Sequence, residues 1–267
     1  MPDDPAYRPS SREEKLAAFG RLLDVMDELR EKCPWDRKQT FATLRLLSIE
    51  EVYELADAIL SEDLGGIEEE IGDVTLHMIF YALLGQEAGA FDIATALNRE
   101  ADKLIARHPH IYGDVEVADA AEVKRNWEAL KLREKGKRTV LGGVPRGLPA
   151  LVKAYRMQEK TAQFGFEWNE TEEVYAKVRE ELAELEEAVA EGGAEAQEEE
   201  FGDLLFALVN YGRFLGIDPE TALERANRKF RSRFDHVERE APKPLTAMTL
   251  AEMDALWEEA KRLEREA

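Results

Sequence analysis

Apolar residues recur along most of this chain at intervals of three and four positions, which is the spacing of an amphipathic α-helix. Phe19, Leu22, Leu23, Met26 and Leu29 show this pattern. No long run alternates β-branched with polar residues, and the most frequent residue types are good helix formers. The pattern predicts an all-α fold with helices near residues 12–32, 44–62, 67–88, 92–107, 119–136, 148–163, 171–191, 195–216, 219–239 and 249–265.

Glycine and proline cluster between the fifth and sixth of these helices, in the sequence KRTVLGGVPRGLP that begins at Lys137. Both residue types interrupt helices, so the segment indicates a boundary between two helical sets. We therefore predict a flexible tail over residues 1–11, a first domain over residues 12–136, a linker over residues 137–147 and a second domain over residues 148–267.

The two helical sets repeat each other in sequence. The segment SIEEVYELADAI from Ser48 aligns with VREELAELEEAV from Val178, and EEEIGD from Glu68 aligns with EEEFGD from Glu198. Members of each pair lie 130 residues apart. A repeat of this length indicates a duplicated structural unit, so the chain is expected to contain two tandem helical bundles.

Each repeat carries four carboxylates, divided between two consecutive predicted helices. The sets are Glu51, Glu54, Glu70 and Asp73 in the first repeat, and Glu181, Glu184, Glu200 and Asp203 in the second. The two acids on each helix are three positions apart and share one face. A glycine pair precedes the second helix, at residues 65–66 and 192–193, and predicts a short turn between antiparallel neighbours. The four acids of a repeat should therefore converge.

Convergence of carboxylates is unfavourable without a cation, because two of them about 5 Å apart repel by roughly 3 kcal/mol at an effective dielectric near 20. An all-oxygen set without cysteine or histidine suits Mg²⁺, with Mn²⁺ as the alternative. Magnesium also accepts phosphate oxygens, which favours chemistry on a phosphate chain with water as the nucleophile. The competing interpretations are a solvated acidic face and a di-iron bundle, although the latter requires Glu-x-x-His ligands.

Composition narrows the class of partner. The formal charge of −21 disfavours nucleic acid and anionic membranes as partners. Cys33 is the single cysteine, which is typical of a reducing compartment, and no apolar run approaches the length of a membrane span. We expect a soluble cytoplasmic protein. The pair His108 and His110 is interpreted as the end of a helix, and Cys33 as a structural or neutral residue.

An E-E-x-x-E helix followed by an E-x-x-D helix resembles the all-α NTP pyrophosphohydrolase superfamily. Two copies in one chain resemble its MazG family in particular, together with CPWD at residues 33–36, QTF at 39–41, RHPHIYGD at 107–114 and GFEW at 165–168. The resemblance covers nearly the whole chain. It implies Mg²⁺-dependent cleavage of nucleoside triphosphates between the α and β phosphates, which yields a nucleoside monophosphate and pyrophosphate.

The resemblance also implies roles for individual residues. In the second repeat the four acids would bind Mg²⁺, Glu180 or Glu181 would orient or deprotonate the attacking water, and the nucleotide would contact Lys177, Lys229, Arg233 and Trp257. The corresponding first-repeat residues are Lys103, Arg107 and Trp127, but Leu47 stands where the second repeat has Lys177. We therefore predict the main site in the second repeat and a secondary site in the first.

The first acidic helix also carries a wide apolar face, formed by Leu46, Ile49, Val52, Leu55 and Ile59. One short bundle is unable to bury so wide a face alone, which predicts a homodimer. Four other functions stay open at this point. They are a dUTPase-like enzyme, a phosphoribosyl-ATP pyrophosphohydrolase, a nucleotide-sensing scaffold without turnover, and an acidic assembly protein.

Overall fold

A computed structural model describes residues 8–117, 119, 123 and 139–266. Over these residues the chain forms helices and turns without a strand, which confirms the all-α prediction. It divides into two compact units, Met1–Ala118 and Asp119–Ala267. Apart from Asp119 and Val123, the predicted helix near residues 119–136 lies outside the described residues, and the domain boundaries drawn from the sequence stay predictions.

The first unit contains four long helices and one short one. These are α1 (Arg12–Lys32), α2 (Phe41–Leu60), α3 (Leu64–Glu87), α4 (Ile93–Arg107) and the single turn α5 (Pro109–Tyr112). Polar side chains cap the first turns. For example, the Ser11 hydroxyl accepts from the backbone N–H of Glu14, and the Asp92 carboxylate accepts from that of Thr95. The core joins α1, α2 and α3 through Met26, Leu44, Ile79, Phe80 and Leu84.

The described residues of the second unit form five long helices. These are α6 (Ala150–Ala162), α7 (Thr171–Glu191), α8 (Ala194–Phe214), α9 (Pro219–Glu240) and α10 (Leu250–Glu266). Helices α7 and α8 pack along each other, α6 packs on α8, and α9 packs on α10. Only two residues, Gly192 and Gly193, separate α7 from α8, so these two helices are antiparallel neighbours, as are α2 and α3 in the first unit.

The predicted glycine turn in the first repeat was wrong in detail. Gly65 and Gly66 lie inside the first turn of α3, which begins at Leu64. The Asp63 carboxylate accepts from both glycine N–H groups at 3.1 Å and thereby starts the helix earlier. A Cβ on Gly66 would lie 2.9 Å from an Asp63 carboxylate oxygen and 3.2 Å from the side chain of Ala58. Gly66 thus stands at a close approach at the helix start, whereas a Cβ on Gly65 would come no nearer than 3.4 Å to Asp63.

The other predicted helices that fall within the described residues begin and end within three residues of the observed bounds. No helix in the described part of the chain is long and apolar enough to span a membrane. His108 follows the last residue of α4, and its Nδ1 lies 2.7 Å from the carbonyl oxygen of Leu104. Its position agrees with the interpretation that the histidine pair marks a helix end.

One ion pair fastens the end of α1 to the end of α3. The guanidinium of Arg30 donates to both carboxylate oxygens of Glu87, at 2.6 and 2.7 Å. It also donates to the backbone carbonyls of Asp36 and Gln39 and so holds the loop that leads into α2. The Arg30 side chain is only 16% exposed, which means that its donors depend on these partners.

We expect Glu87→Gln to lower the free energy of unfolding by roughly 1–2 kcal/mol, because it removes a charged bidentate partner from a buried guanidinium. The hydrogen bonds from Arg30 hold the pKa of Glu87 below its ordinary value. The ion pair therefore contributes its full stability above the pKa of Glu87 in the unfolded chain, which is roughly 4.3. This contribution is lost as pH falls through the lower pKa of Glu87 in the folded protein. Urea unfolding at several pH values measures both effects.

Glu28→Gln is the matched control. Glu28 pairs with Lys32 on the exposed surface of α1, the helix that carries Arg30, and removal of an exposed pair of this kind changes stability little. Equal effects of the two substitutions would contradict the role given to Glu87.

Candidate functional site

Helices α7 and α8 bring three of the four predicted carboxylates of the second repeat together. Glu181 and Glu184 from α7 and Glu200 from α8 each place an oxygen within 4.8 Å of the others. Glu181 is buried and Glu200 is half-buried. The fourth predicted ligand, Asp203, lies outside this triplet but lines a cavity together with Glu181.

The electrostatics of this cluster are those of a cation site. Burial raises the pKa of Glu184, and the charges of Glu181 and Glu200 raise it further. Lys177, one turn before Glu181, donates to its carboxylate at 2.6 Å and to that of Glu180 at 2.9 Å. The hydrogen bond to Glu181 is the main reason why the pKa of Lys177 is raised. One lysine thus offsets only part of the negative charge.

The first unit repeats the cluster with slightly different members. Glu51 from α2 and Glu70 and Asp73 from α3 place carboxylate oxygens within 4.8 Å of one another. Burial is the main cause of the raised pKa of Glu70, followed by the charges of Glu54 and Glu51. Glu54, the fourth predicted ligand, therefore adds its charge to the cluster from just outside the triplet.

The two clusters differ in their basic partner, as the sequence predicted. Leu47 packs against the apolar core of the first unit, whereas Lys177 at the matching position forms ion pairs with Glu180 and Glu181. Among the described residues, no lysine or arginine forms an ion pair with Glu51 or Glu70. The first cluster is consequently the less compensated of the two.

Both clusters fit a hard divalent cation. Every donor is a carboxylate oxygen, which is the ligand type that Mg²⁺ and Mn²⁺ prefer. In the first unit, Oε2 of Glu70 is buried without a hydrogen-bond partner in the described part of the chain. A buried carboxylate oxygen is unfavourable in that state, and a bound cation would satisfy it.

A cavity of about 610 Å³ adjoins the second cluster. Lys177, Glu181 and Asp203 line one part of it, next to the carboxylates. The rest of the wall comes from Leu141 and from α6, α8 and the loop after α6. It includes Met157, Gln158, Phe166, Trp168, Phe206, Asn210 and Arg213. The volume is typical of a small-molecule site, and so is a largely apolar wall with a few polar groups.

The other predicted nucleotide contacts of the second repeat form a separate group on α9 and α10. Arg233 donates from Nε and Nη2 to Oε2 of Glu264, at 3.0 and 2.7 Å, and from Nε to Oε1 at 3.2 Å. Its guanidinium lies 5.6 Å above the Trp257 ring. The charge of Lys229 helps to lower the pKa of Glu264, after the hydrogen bond from Arg233. None of the three predicted contacts is among the described residues that line the cavity, which Lys177 does line.

Two of the three equivalent residues of the first repeat lie in the described part of the chain. Lys103 pairs with Glu100 on α4, and Arg107 is buried at the end of that helix. Trp127 lies outside the described residues. The suggested secondary nucleotide contacts therefore stay predictions.

The sequence analysis missed several residues of the cavity wall, although a signal for them existed. Asp203, Ala207 and Asn210 follow one another at helical spacing and must share one face of α8. GFEW was noticed as a motif, but no role was given to Glu167, whose carboxylate accepts from Arg213 at 3.1 Å. Gln158 carried no signal, because a single glutamine in a helix is ordinary.

Duplicated helix pairs that gather carboxylates define an all-α protein in which each pair could hold a divalent cation. The sequence model of the MazG nucleotide pyrophosphohydrolase domain matches this chain twice, over residues 39–112 and 169–238. Each match contains one complete set of the predicted acids. The chain belongs to this family, which confirms the resemblance drawn from its motifs.

Two relatives cover nearly the same length. A Thermotoga maritima protein named nucleoside triphosphate pyrophosphohydrolase/pyrophosphatase MazG is 43% identical over 250 residues, which are 91% of this chain and 95% of that protein. An Escherichia coli K12 protein named nucleoside triphosphate pyrophosphohydrolase is 40% identical over 257 residues, 91% of this chain and 97% of its own. The uncharacterized protein YabN of Bacillus subtilis is 42% identical over 97% of this chain, which spans 55% of YabN.

We expect Glu184→Gln to raise the melting midpoint of the metal-free protein and to weaken Mg²⁺ or Mn²⁺ binding by about tenfold or more. The substitution removes one of three repelling charges, but it also removes a ligand oxygen that carries charge. Thermal melts with and without metal, together with calorimetric titration of Mn²⁺, measure the two effects.

The control for this substitution is Glu186→Gln, an exposed acid on the same helix. It should change neither the melting midpoint nor the metal affinity appreciably. Loss of metal binding in both variants, or in neither, would count against a cation site at Glu184.

Proposed function

We propose that this protein hydrolyses nucleoside triphosphates between the α and β phosphates, with Mg²⁺ as the cofactor and the main site in the second repeat. The products are a nucleoside monophosphate and pyrophosphate. The single observation that carries the proposal is the carboxylate triplet of Glu181, Glu184 and Glu200 at one end of a cavity that Lys177 also lines. The names of the Thermotoga and Escherichia relatives support the same activity.

In this proposal Glu181, Glu184, Glu200 and Asp203 hold the cation. The cation, when bound, neutralises phosphate charge and makes the α phosphorus a better electrophile. Glu180 or Glu181 orients the attacking water and takes its proton as the bond between oxygen and the α phosphorus forms. The bond from that phosphorus to the bridging oxygen breaks, and pyrophosphate leaves.

Basic residues divide the remaining work. Lys177 holds the carboxylates of Glu180 and Glu181 in place through its two hydrogen bonds. Lys229 and Arg233 lie four positions apart on α9, and we propose that they offset charge on the phosphate chain while Trp257 contributes to nucleotide binding. The first-repeat acids would form a weaker second site, because Leu47 replaces the lysine.

We expect Glu200→Ala to reduce pyrophosphate release to the background rate, while Glu70→Ala in the first repeat leaves most of it. Glu200 is the ligand that α8 contributes to the triplet, so its loss opens the main site. The measurement is pyrophosphate and monophosphate formation from each ribo- and deoxyribonucleoside triphosphate with Mg²⁺, which also tests the dUTPase-like and phosphoribosyl-ATP alternatives when those substrates are included.

Glu199→Ala is the matched control for this experiment, since Glu199 is the neighbouring exposed acid on the same helix. Full activity of the Glu200→Ala variant would overturn the assignment of the main site. Tight nucleotide binding without turnover by the wild-type protein would favour the nucleotide-sensing scaffold. A wild-type melting midpoint that does not change with added metal would favour the acidic assembly protein.

We also propose that the protein is a homodimer. On α2 the side chains of Leu46, Ile49, Val52 and Ile59 are exposed, and Ile71 and Met78 extend the apolar surface on α3. Contiguous apolar surface of this kind is uncommon on monomers and is typical of an interface between subunits. A second copy of the chain is the occupant that the duplicated bundle favours.

Val52→Lys should shift the protein from dimer to monomer in sedimentation analysis, because a charge would be buried in the centre of the apolar face. Leu16→Lys, on the exposed side of α1, should leave the dimer intact. A monomeric wild-type protein, or a dimeric Val52→Lys variant at low micromolar concentration, would contradict the proposed interface.

A further inference from the structure

The cavity beside the second cluster extends well beyond the groups that the proposed chemistry uses. Lys177, Glu181 and Asp203 occupy one end, and the remainder of the 610 Å³ is enclosed by α6, α8 and the loop that carries GFEW. Cleavage at the α phosphate requires that the nucleoside lie directly beside the cation, because the α phosphate is the one attached to the sugar. The cavity adjoins the carboxylates, and the nucleoside could then lie in it.

Two amides in the wall are fixed in opposite orientations. Nε2 of Gln158 donates to the backbone carbonyl of Phe206 at 2.8 Å, and its Oε1 is buried without a hydrogen-bond partner in the described chain. Oδ1 of Asn210 accepts from the guanidinium of Arg213 at 2.9 and 3.2 Å, which leaves Nδ2 to donate. Since Gln158 is 93% buried, its unmatched acceptor is unfavourable until a donor arrives.

A second ion pair keeps Asn210 in this orientation. Arg213 donates to the carboxylate of Glu167 as well as to Asn210, and its side chain is largely buried. Two acceptors therefore fix one guanidinium, and the guanidinium fixes the amide. Arg213 acts through Asn210 and is a positioning residue.

Aromatic side chains stand at the same cavity. Phe166 is 82% exposed and Trp168 is 46% exposed, although both line the cavity. Exposed aromatic rings are unfavourable in water and favourable against the flat face of another ring. A flat ligand with a polar edge would therefore be stacked by the aromatic residues and would meet one acceptor and one donor on the wall.

We propose that this cavity binds the nucleobase of the substrate, with Gln158 accepting from and Asn210 donating to the edge of the base. The inference rests on the proposed function, and it assigns binding of the base to residues of α6 and α8. Every natural base presents a donor beside an acceptor on its pairing edge, so both amides are satisfied together by one bound base.

The test separates the base from the phosphates by using two probes. Nucleoside 5′-monophosphates without metal report on the cavity, and tripolyphosphate with Mg²⁺ reports on the carboxylate site, both by calorimetry. We expect Asn210→Ala and Gln158→Leu each to weaken monophosphate binding on the order of tenfold and to change tripolyphosphate affinity less than twofold. Glu200→Gln should do the reverse.

Asn227→Ala is the matched control, because Asn227 is an exposed asparagine on α9 that contacts Glu224 on its own helix. The Gln158 substitution removes a buried hydrogen bond, so unchanged tripolyphosphate binding serves as the check that this variant is folded. A further readout is tryptophan fluorescence, which the base should quench in the wild-type protein but not in Trp168→Phe.

Two results would overturn the proposal. One is monophosphate affinity that is unchanged in both amide variants, and the other is equal weakening of the two probes. Arg213→Met should raise KM with little effect on kcat, and Arg213→Lys should restore part of the loss, whereas a kcat effect alone would overturn the positioning role. A wild-type protein that binds the monophosphates but hydrolyses no nucleoside triphosphate would contradict the proposed function. The assignment of the cavity to the base would still hold.

Discussion

Three carboxylates with oxygens within 4.8 Å of one another repel strongly, and the helix pair that carries them must hold them together in spite of this. In the second unit, α7 buries Val174, Val178 and Ala188 against its neighbours. Apolar contacts along the helix pair thus offset the repulsion at its acidic face. A bound cation would relieve that repulsion, so the same arrangement that brings the charges together also suits a metal ion.

Duplication gives the protein two such helix pairs, and their surroundings make them unequal. Lys177 partly neutralises the second cluster through Glu180 and Glu181, whereas Leu47 at the matching position contributes to the core of the first unit. A lysine there would need to leave an apolar environment or bury its charge. The first repeat therefore has a carboxylate cluster like that of the second, but the position that holds Lys177 in the second repeat serves core packing in the first.

The cavity joins the second carboxylate cluster to the residues that we propose bind the base. Its carboxylate end and its amide and aromatic end are parts of one space along α8, on which Asp203, Ala207 and Asn210 succeed one another. A nucleotide has the same order of parts, from charged phosphate to flat base. Under the proposed function, one helix would therefore position the reacting phosphate at one end and the base at the other.

Helical spacing of apolar residues determined the all-α fold, and internal alignment determined the duplication and both acidic sets. These features depend on neighbours along the chain, so the sequence displays them directly. The difference between Leu47 and Lys177 at matching positions can likewise be read from the sequence alone, and so can the motifs that indicate the MazG family.

Tertiary structure decided which acids meet and what lies beside them. It placed Glu181, Glu184 and Glu200 in one triplet. It also brought Gln158 from α6 to the same cavity as Asp203, Asn210 and Arg213 on α8. It also separated Arg233 and Trp257 from the cavity wall. Contacts between residues about 50 positions apart, such as that of Gln158 with Phe206, depend on helix packing, which leaves no periodic trace in the sequence.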